Sequence, residues 1–382
     1  SGRWGVDLSR RQRHVSFAIA YNIWQYYKIT GDINFMRKFG IELFLSIAQF
    51  AASLTKYSIL TGRYSTYGIM GPDEFHEKNP GTKKPGLKDN AYTNVMIVWV
   101  LCKAKELLDT LSVQNKEKLK KKLDITDKEI RRWEDVTEKM NIVIDDNNII
   151  SQFDGYFALK ELDWKAYTAE YGNIKRMDRI LKAEDKSPDE YKVAKQADTL
   201  MLFYLFNFSE LRSIFSKLGY NLKDDSLRKN YDYYEKRTSH GSTLSKVVHG
   251  FLAHKLGRSK ASWDWFQSVL QSDVYDTQGG TTPEGIHVGV MGGSIDIVLR
   301  RYLGVDVTGE IVKFAPQVPR SWKKITTKIR YRDFWITVWA DTQQIKVIVD
   351  AFQNDPKTVL AVEINGKIHD LGMGKSYSFS LN

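Results

Sequence analysis

The apolar residues recur with the period of an α-helix through most of the chain. In VSFAIAYNIWQYYKITGD, which begins at Val15, the residues Ile19 and Ile23 lie four positions apart, and Tyr26 and Tyr27 follow one turn later. This spacing places apolar side chains on one face of a helix. The same period predicts further helices at residues 33–56, 91–111, 115–124, 126–143, 196–208, 243–256, 258–271 and 294–304.

The period changes to two in the last part of the chain. Segments such as KKITTKIRYR and QIKVIVDA alternate along the sequence and are rich in β-branched and aromatic residues, which is typical of strands. Asn365-Gly366 lies between two such segments and indicates a two-residue hairpin turn. We therefore predict a mainly α fold followed by a small antiparallel β-sandwich, with domains at residues 1–304 and 305–382.

The composition allows a large core and sets limits on partners. The 382 residues are 42% hydrophobic and include 10 Trp, 20 Tyr and 18 Phe, which suit a core and also a cleft that stacks sugar rings. The net charge of +11 permits an anionic partner, but the lysines have the spacing of solvated helix faces, so we expect no nucleic-acid partner. No signal peptide opens the sequence and no apolar run reaches ~18 residues, which predicts a soluble, cytoplasmic protein without a membrane partner.

Cysteine and histidine spacing argues against a metal or redox site. The single cysteine, Cys102, lies in an apolar predicted helix, so we interpret it as a core residue, and an internal disulfide framework is excluded. His249 and His254 are five residues apart, which does not fit a helical metal-binding pair. We predict no metal and no cofactor.

The candidate catalytic segment, here named the acid loop (residues 71–90), begins GPDEFHE and ends at DN. It places Asp73, Glu74 and His76 on a Gly/Pro-rich stretch, and Asn90 directly before a predicted helix. A carboxyl group that partial burial and a negative neighbour keep protonated can donate a proton to a leaving oxygen. A solvated acidic loop is the alternative, but Phe75 is a poor choice for one, and function concentrates on loops fixed by helices.

Two further segments have the composition of anion-binding sites. In TSHGSTLS, Ser242 and Thr243 stand at a predicted helix N-terminus, where backbone N–H groups and hydroxyls bind phosphate. In GGTTPEGIHVGVMGGS, Gly292 and Gly293 let the backbone approach an anion closely, and His287 can donate to it. The alternatives are an ordinary helix cap and an ordinary glycine-rich turn.

One acidic loop and two anion-binding segments together indicate an acid-assisted attack by phosphate. In an inverting cleavage, a carboxylic acid protonates the glycosidic oxygen while a nucleophile attacks the opposite face of the sugar. Phosphate is already nucleophilic and anionic, so a second catalytic carboxylate is unnecessary. Lys195 and Gln196, at the start of another predicted helix, have side chains that can bind sugar hydroxyls.

These motifs resemble glycoside hydrolase family 65, the family of maltose, trehalose and kojibiose phosphorylases. The resemblance rests on GPDEFHE, DNAYTN, KQAD, TSHGSTLS and TTPEGIHVGVMGG in that order, and it covers essentially the whole chain. It implies an (α/α)6 barrel with a C-terminal β-sandwich. It also implies an enzyme that carries out inverting phosphorolysis of an α-linked glucose disaccharide, with inorganic phosphate as co-substrate and β-glucose 1-phosphate as product.

The resemblance assigns roles position by position. Glu74 matches the general acid, and Lys195 and Gln196 match residues that contact the glucosyl ring. We also predict substrate binding by three further residues of the acid loop: Asp73, His76 and Asn90. The phosphate-binding positions are Ser242, Thr243, His287, Gly292 and Gly293, with Ser-Thr where the family often has two serines.

The first barrel helices of the family, and the Trp-Asp motif that lines its glucose subsite, have no counterpart in this sequence. We therefore predict a partial barrel that needs a homo-oligomer or a complementing N-terminal chain, because exposed apolar helix faces cost about 25 cal/mol per Å². Two alternatives remain. One is a hydrolase of the same family in which Glu235 or Glu284 activates water, and the other is a non-catalytic sugar-binding subunit of a split enzyme.

Overall fold

The computed structural model describes residues 7–79, 81–277, 285–352 and 359–381. Helices dominate as far as Tyr302, and strands follow from Val312. The α-helices lie at His14–Thr30, Ile33–Phe35, Ile41–Ser53, Ala91–Asp109, Val113–Leu123, Asp127–Lys139, Trp164–Tyr171, Met177–Ala183, Leu200–Leu205, Phe208–Lys217, Ser226–Glu235, Thr243–Lys255, Ser259–Leu270 and Val288–Ile297. Shorter helical turns lie at Ser9–Arg11, Met36–Gly40, Tyr156–Ala158, Pro188–Glu190 and Val298–Tyr302.

The helices with the strongest apolar period form where the sequence predicts them. His14–Thr30 ends at Gly31, whose φ of +66° is the left-handed conformation that closes many helices. Ala91–Asp109, here named the central helix, is buried along most of its length and packs against His14–Thr30 and Ile41–Ser53. Because the acid loop leads directly into the central helix, the last residues of that loop are fixed in the core.

The segment before the acid loop contains two strands that were not predicted from the sequence. Thr55–Ser58 and Arg63–Ile69 form an antiparallel pair, so the helix predicted over 33–56 ends earlier, at Ser53. Arg63–Ile69 also pairs with Leu87–Lys88 inside the acid loop. Both ends of the loop are therefore tied to one small sheet.

Other differences lie around the remaining motifs. The helix predicted over 196–208 forms only at Leu200–Leu205, which leaves the KQAD segment non-helical. Ser226–Glu235 is a helix although its tyrosine-rich sequence suggests a loop, because Tyr231 and Tyr234 are buried in the core. Phe208–Lys217 was not predicted, and the glycine-rich segment is helical from Val288 onward.

The C-terminal region contains two sheets. One is antiparallel and has the strand order Ser376–Ser380, Gln344–Ala351, Phe334–Ala340, Ile325–Tyr331. The other has the order Val312–Phe314, Val359–Ile364, Lys367–Gly372, and its first pair is parallel, which the antiparallel prediction missed. The Asn365-Gly366 hairpin is confirmed, with φ of +48° and +81° at its two turn residues. The boundary at 304/305 stays a prediction.

Neither a membrane span nor a metal cluster is found in the described part of the chain. Each helix there is too short or too polar to traverse a bilayer. Groups of three or more potential metal ligands are also absent from those residues. Cys102 is half-buried and packs against the core, and burial raises the pKa of its thiol.

Two helices near the candidate phosphate site pack closely through glycine. Thr243–Lys255 and Val288–Ile297 run parallel, and a Cβ on Gly293 would lie 2.6 Å from Val247 Cγ1. A Cβ on the neighbouring Gly292 would meet no atom within 4 Å. The two adjacent glycines therefore have opposite packing environments.

We expect Gly293→Ala to lower the free energy of unfolding by about 1–3 kcal/mol, because the added methyl group overpacks the contact with Val247. The matched change Gly292→Ala should raise it by about 0.5–1 kcal/mol, since alanine favours the helix and meets open space. Urea unfolding of both variants measures the difference. Equal effects of the two substitutions would contradict this packing.

Candidate active site

Glu74 projects from the acid loop in a left-handed backbone conformation, with φ of +63°. Its Oε2 lies 2.5 Å from Lys195 Nζ, and its Oε1 accepts a hydrogen bond from Gln12 Nε2 at 3.3 Å. The side chain is 36% exposed and opens into a cavity of about 530 Å³. The cavity lining includes Glu77, Arg179, Lys182 and Lys195. Glu74 is thus a reachable carboxyl group held by a cation.

Asp73 and His76 form a completely buried pair behind Glu74. Asp73 Oδ2 lies 2.5 Å from His76 Nδ1, and His76 Nε2 lies 2.9 Å from the carbonyl oxygen of Tyr191. A carbonyl oxygen only accepts, so Nε2 carries a hydrogen. Burial acts to lower the pKa of His76, but the Asp73 carboxylate outweighs it and the pKa is raised. The contact between Asp73 and His76 therefore fixes the backbone on both sides of Glu74.

Asn90 and Asp198 connect the two ends of the acid loop. Asn90 caps the central helix by accepting from Thr93 N at 2.9 Å, and its Nδ2 donates to Asp198 Oδ1 at 3.0 Å. Asp198 Oδ2 also accepts from Asp73 N at 3.4 Å. Burial, and next the charge of Asp73, raise the pKa of Asp198 well above its usual range. A Cβ on Gly71 would lie 2.2 Å from Asp198 Oδ2, so this position requires glycine.

This arrangement differs from two expectations. The adjacent carboxylates diverge, so the neighbour of Glu74 is the cation Lys195 and not the carboxylate of Asp73. Asp73, His76 and Asn90 were predicted to bind substrate, but all three are completely buried and none lines the cavity. Their contacts with protein atoms indicate that they position the loop.

The KQAD segment joins the acid loop to the TSHGSTLS turn. Gln196 Nε2 donates to the carbonyl oxygen of Pro72 at 2.6 Å. The carbonyl oxygen of Lys195 accepts from Gly241 N at 3.0 Å, next to Ser242. Lys195 therefore contacts Glu74 through its side chain and the candidate phosphate turn through its backbone.

Ser242 and His287 are brought to the same end of two parallel helices. Leu244 packs against Gly289, and one turn further along Val247 packs against Gly293, so both helix N-termini face one way. Ser242 is the N-cap of the first helix and accepts from Leu244 N at 3.3 Å. Thr243, the next residue, is buried at the start of the same helix.

His287 precedes the second of these helices and is oriented by an acid that was not predicted. Its Nδ1 lies 3.2 Å from Asp273 Oδ1, and its backbone N donates to Asp273 Oδ2 at 3.2 Å. Gly292 and Gly293, by contrast, lie beyond the first helical turn, where N–H groups bond within the helix. The approach of their backbone to an anion stays a prediction.

The alternative water-activating residues receive no support. Glu235 accepts from Tyr231 OH at 3.0 Å and does not line the cavity of Glu74. Glu284 lies outside the described residues. Asp198 and Asp273 were missed because their roles depend on contacts with residues distant in sequence. For Asp198, its place in the KQAD motif was the one feature of the sequence that could have identified it.

Family models match nearly the whole chain. The model for the glycosyl hydrolase family 65 central catalytic domain matches residues 1–296, and the family 65 C-terminal domain model matches residues 305–371. The chain belongs to glycosyl hydrolase family 65. The resemblance drawn from five sequence motifs is confirmed, and so is the predicted fold of an (α/α)6-barrel type followed by a strand-rich region.

Three similar proteins place the chain within the family. An uncharacterized glycosyl hydrolase of Mycobacterium tuberculosis is 41% identical over 374 residues, which cover 98% of this chain and 28% of that protein. The trehalose 6-phosphate phosphorylase of Lactococcus lactis is 38% identical over 92% of this chain and 44% of its own length. A solved structure, a putative kojibiose phosphorylase from the human microbiome, matches with a TM-score of 0.78 and 26% identity, over 96% of this chain and 49% of that one. The chain thus spans less than half the length of these three proteins.

Proposed function

We propose that this chain provides the acid and the phosphate site of an inverting phosphorylase that acts on an α-linked glucose disaccharide. The observation that supports this best is the position of Lys195. Its ammonium group contacts Glu74, and its carbonyl oxygen binds the turn that leads into Ser242. Lys195 thus connects a carboxylic acid with an anion-binding turn. Phosphorolysis requires both groups in one active site.

In the proposed reaction, Glu74 donates a proton to the glycosidic oxygen and the bond from that oxygen to the anomeric carbon breaks. A phosphate oxygen forms the new bond to the same carbon from the opposite face, which inverts its configuration. The products are β-glucose 1-phosphate and the free acceptor sugar. The exposure of Glu74 to the cavity lets it regain a proton from solvent.

The relatives support phosphorolysis without selecting the disaccharide. The Lactococcus lactis relative is named for trehalose 6-phosphate, and the solved structure for kojibiose. Both proteins are named as phosphorylases. Of the two residues considered as the base of a hydrolase, Glu235 does not line the cavity of Glu74, and Glu284 lies outside the described residues.

The exposed apolar side chains of the first helices support the proposal of an oligomer or a complementing chain. Val15 and Ile19 lie one turn apart on His14–Thr30 and are each about half exposed. Phe39 lies in the helical turn Met36–Gly40 and Leu43 in the helix Ile41–Ser53, and both are similarly exposed. The partner itself stays a prediction.

The test is release of β-glucose 1-phosphate from α-linked glucose disaccharides with and without inorganic phosphate. We expect Ser242→Ala and His287→Ala to raise the KM for phosphate about tenfold or more, because each removes a hydrogen bond to a charged ligand. The KM for the disaccharide should change less.

Ser112→Ala is the matched control for the first change. Ser112 caps another helix, Val113–Leu123, by accepting from Asn115 N. Its loss should leave the KM for phosphate unaltered. Release of free glucose in the absence of phosphate would instead identify a hydrolase.

A further inference from the structure

Two lysine side chains converge on one threonine beside the candidate phosphate turn. Lys246 Nζ donates to Thr277 Oγ1 at 2.6 Å, and Lys175 Nζ donates to the carbonyl oxygen of the same Thr277. Lys246 follows Ser242 by about one helical turn. Two ammonium groups therefore meet beside the first turn of the helix that Ser242 caps.

Lys246 is buried without a counter-charge in the described part of the chain. It is 2% exposed, its ammonium group donates to Thr277 Oγ1, and no carboxylate of the described residues contributes to its electrostatics. Lys120, the other lysine that is buried among the described residues, is 9% exposed and binds both Glu117 and Asp127, at 2.9 and 2.8 Å. A buried charge is costly unless it is paired, so the contrast points to a missing anion at Lys246.

The second lysine strengthens this conclusion. Burial, and next the charge of Lys175, lower the pKa of Lys246 to about 8, so the two ammonium groups disfavour each other. The backbone of Lys175 is also attached to the phosphate turn, since its carbonyl oxygen accepts from Ser239 Oγ at 3.0 Å. A Cβ on Gly241 would lie 2.3 Å from that oxygen, so the approach of the two segments is close.

We propose that Lys175, Lys246 and Thr277 bind a phosphate group, whose charge compensates both lysines when the site is occupied. This inference rests on the proposed function. A phosphate group at neutral pH carries nearly two negative charges and three strong acceptor oxygens, which matches two ammonium donors beside a hydroxyl group. The group comes either from inorganic phosphate as co-substrate or from a phosphoryl ester on the sugar.

The proposal is tested by measuring ligand binding through thermal stabilisation, which needs no turnover. Inorganic phosphate and glucose 6-phosphate are the two probes, each compared with chloride at equal ionic strength. We expect Lys246→Met and Lys175→Met to weaken binding of at least one probe by about 10- to 100-fold, the size of a lost charge-assisted hydrogen bond. Without ligand, Lys246→Met should be at least as stable as the unaltered protein, because it removes an unpaired buried charge.

Lys255→Met is the matched control. Lys255 lies at the other end of the same helix, donates to the carbonyl oxygen of Phe203 at 3.3 Å, and has a pKa that burial likewise lowers to about 8. Its replacement should leave binding of both probes unchanged.

The two probes distinguish the sources of the phosphate group. Loss of inorganic phosphate binding assigns the site to the co-substrate, and loss of glucose 6-phosphate binding alone assigns it to a phosphorylated sugar. Equal binding of both probes by Lys246→Met and by the unaltered protein overturns the proposal, as does the absence of binding by the unaltered protein. Lysine-dependent binding together with release of free glucose in place of β-glucose 1-phosphate would instead refute the proposed function alone.

Discussion

Glu74→Gln is expected to lower kcat for release of β-glucose 1-phosphate by about 10²- to 10⁴-fold, the usual contribution of a general acid. Glutamine has the shape of glutamate and its amide oxygen can still accept from Lys195, so the loop should keep its conformation. It has no acidic proton to give to the leaving oxygen. The measurement is phosphate-dependent turnover of a disaccharide, with circular dichroism to show that the fold is kept.

Glu77→Gln is the matched control for this prediction. Glu77 lines the same cavity, and burial, followed by the charge of Asp189, raises the pKa of its carboxyl group. If Glu74 is the acid, Glu77→Gln retains most of the activity. An equal loss in both variants would remove the assignment of Glu74.

A substrate with a better leaving group separates acid catalysis from binding. Fluoride leaves α-glucosyl fluoride with little need for protonation, so Glu74→Gln should recover much of its rate on this substrate. A variant that stays equally inactive on the fluoride and on the disaccharide would show that Glu74 acts in binding or folding and not as the acid.

Sequence reasoning was most accurate where short-range pattern decides the structure. The period of the central helix and the Asn365-Gly366 turn are local signals, and both predictions hold. The strands at Thr55–Ser58 and Arg63–Ile69 were not predicted, because their sequences mix polar, small and aromatic residues and do not alternate between apolar and polar positions. Their pairing with each other, and not their own pattern, makes them strands.

In the candidate site, too, features set by neighbouring residues were predicted, and features set by residues distant in sequence were not. The sequence identifies the loop that carries Glu74 but not the direction of its side chains. That direction depends on the positive φ of Glu74 and on Asp198, which lies 125 residues from the Asp73 amide that it binds. The role of Lys246 was equally hidden, because a lysine on a helix is normally solvated and only the fold reveals its burial.

Asp73→Asn is expected to lower the free energy of unfolding by about 3–5 kcal/mol near pH 6, because it removes one partner of a buried ion pair. The Asp73 carboxylate raises the pKa of His76 in the folded protein above its unfolded value of about 6.5. A raised pKa stabilises the folded protein fully below the unfolded value, and this contribution is lost as pH rises through the folded value. The loss caused by Asp73→Asn should therefore shrink towards about pH 9, which urea unfolding at both pH values measures.

Asp89→Asn provides the comparison that isolates the histidine. Asp89 is also buried in the acid loop, but it accepts from Ser65, Thr66 and Asn94 and contacts no histidine. Burial raises the pKa of Asp89, and the hydrogen bonds to its carboxylate oppose that rise. Because Asp89 has no histidine partner whose charge changes between the two pH values, its replacement should cost nearly the same free energy at both. A pH-independent loss in Asp73→Asn as well would mean that the Asp73–His76 pair does not hold a proton. If the loss depends on pH, the same proton should also matter for catalysis, since the pair fixes the turn that aims Glu74 into the cavity.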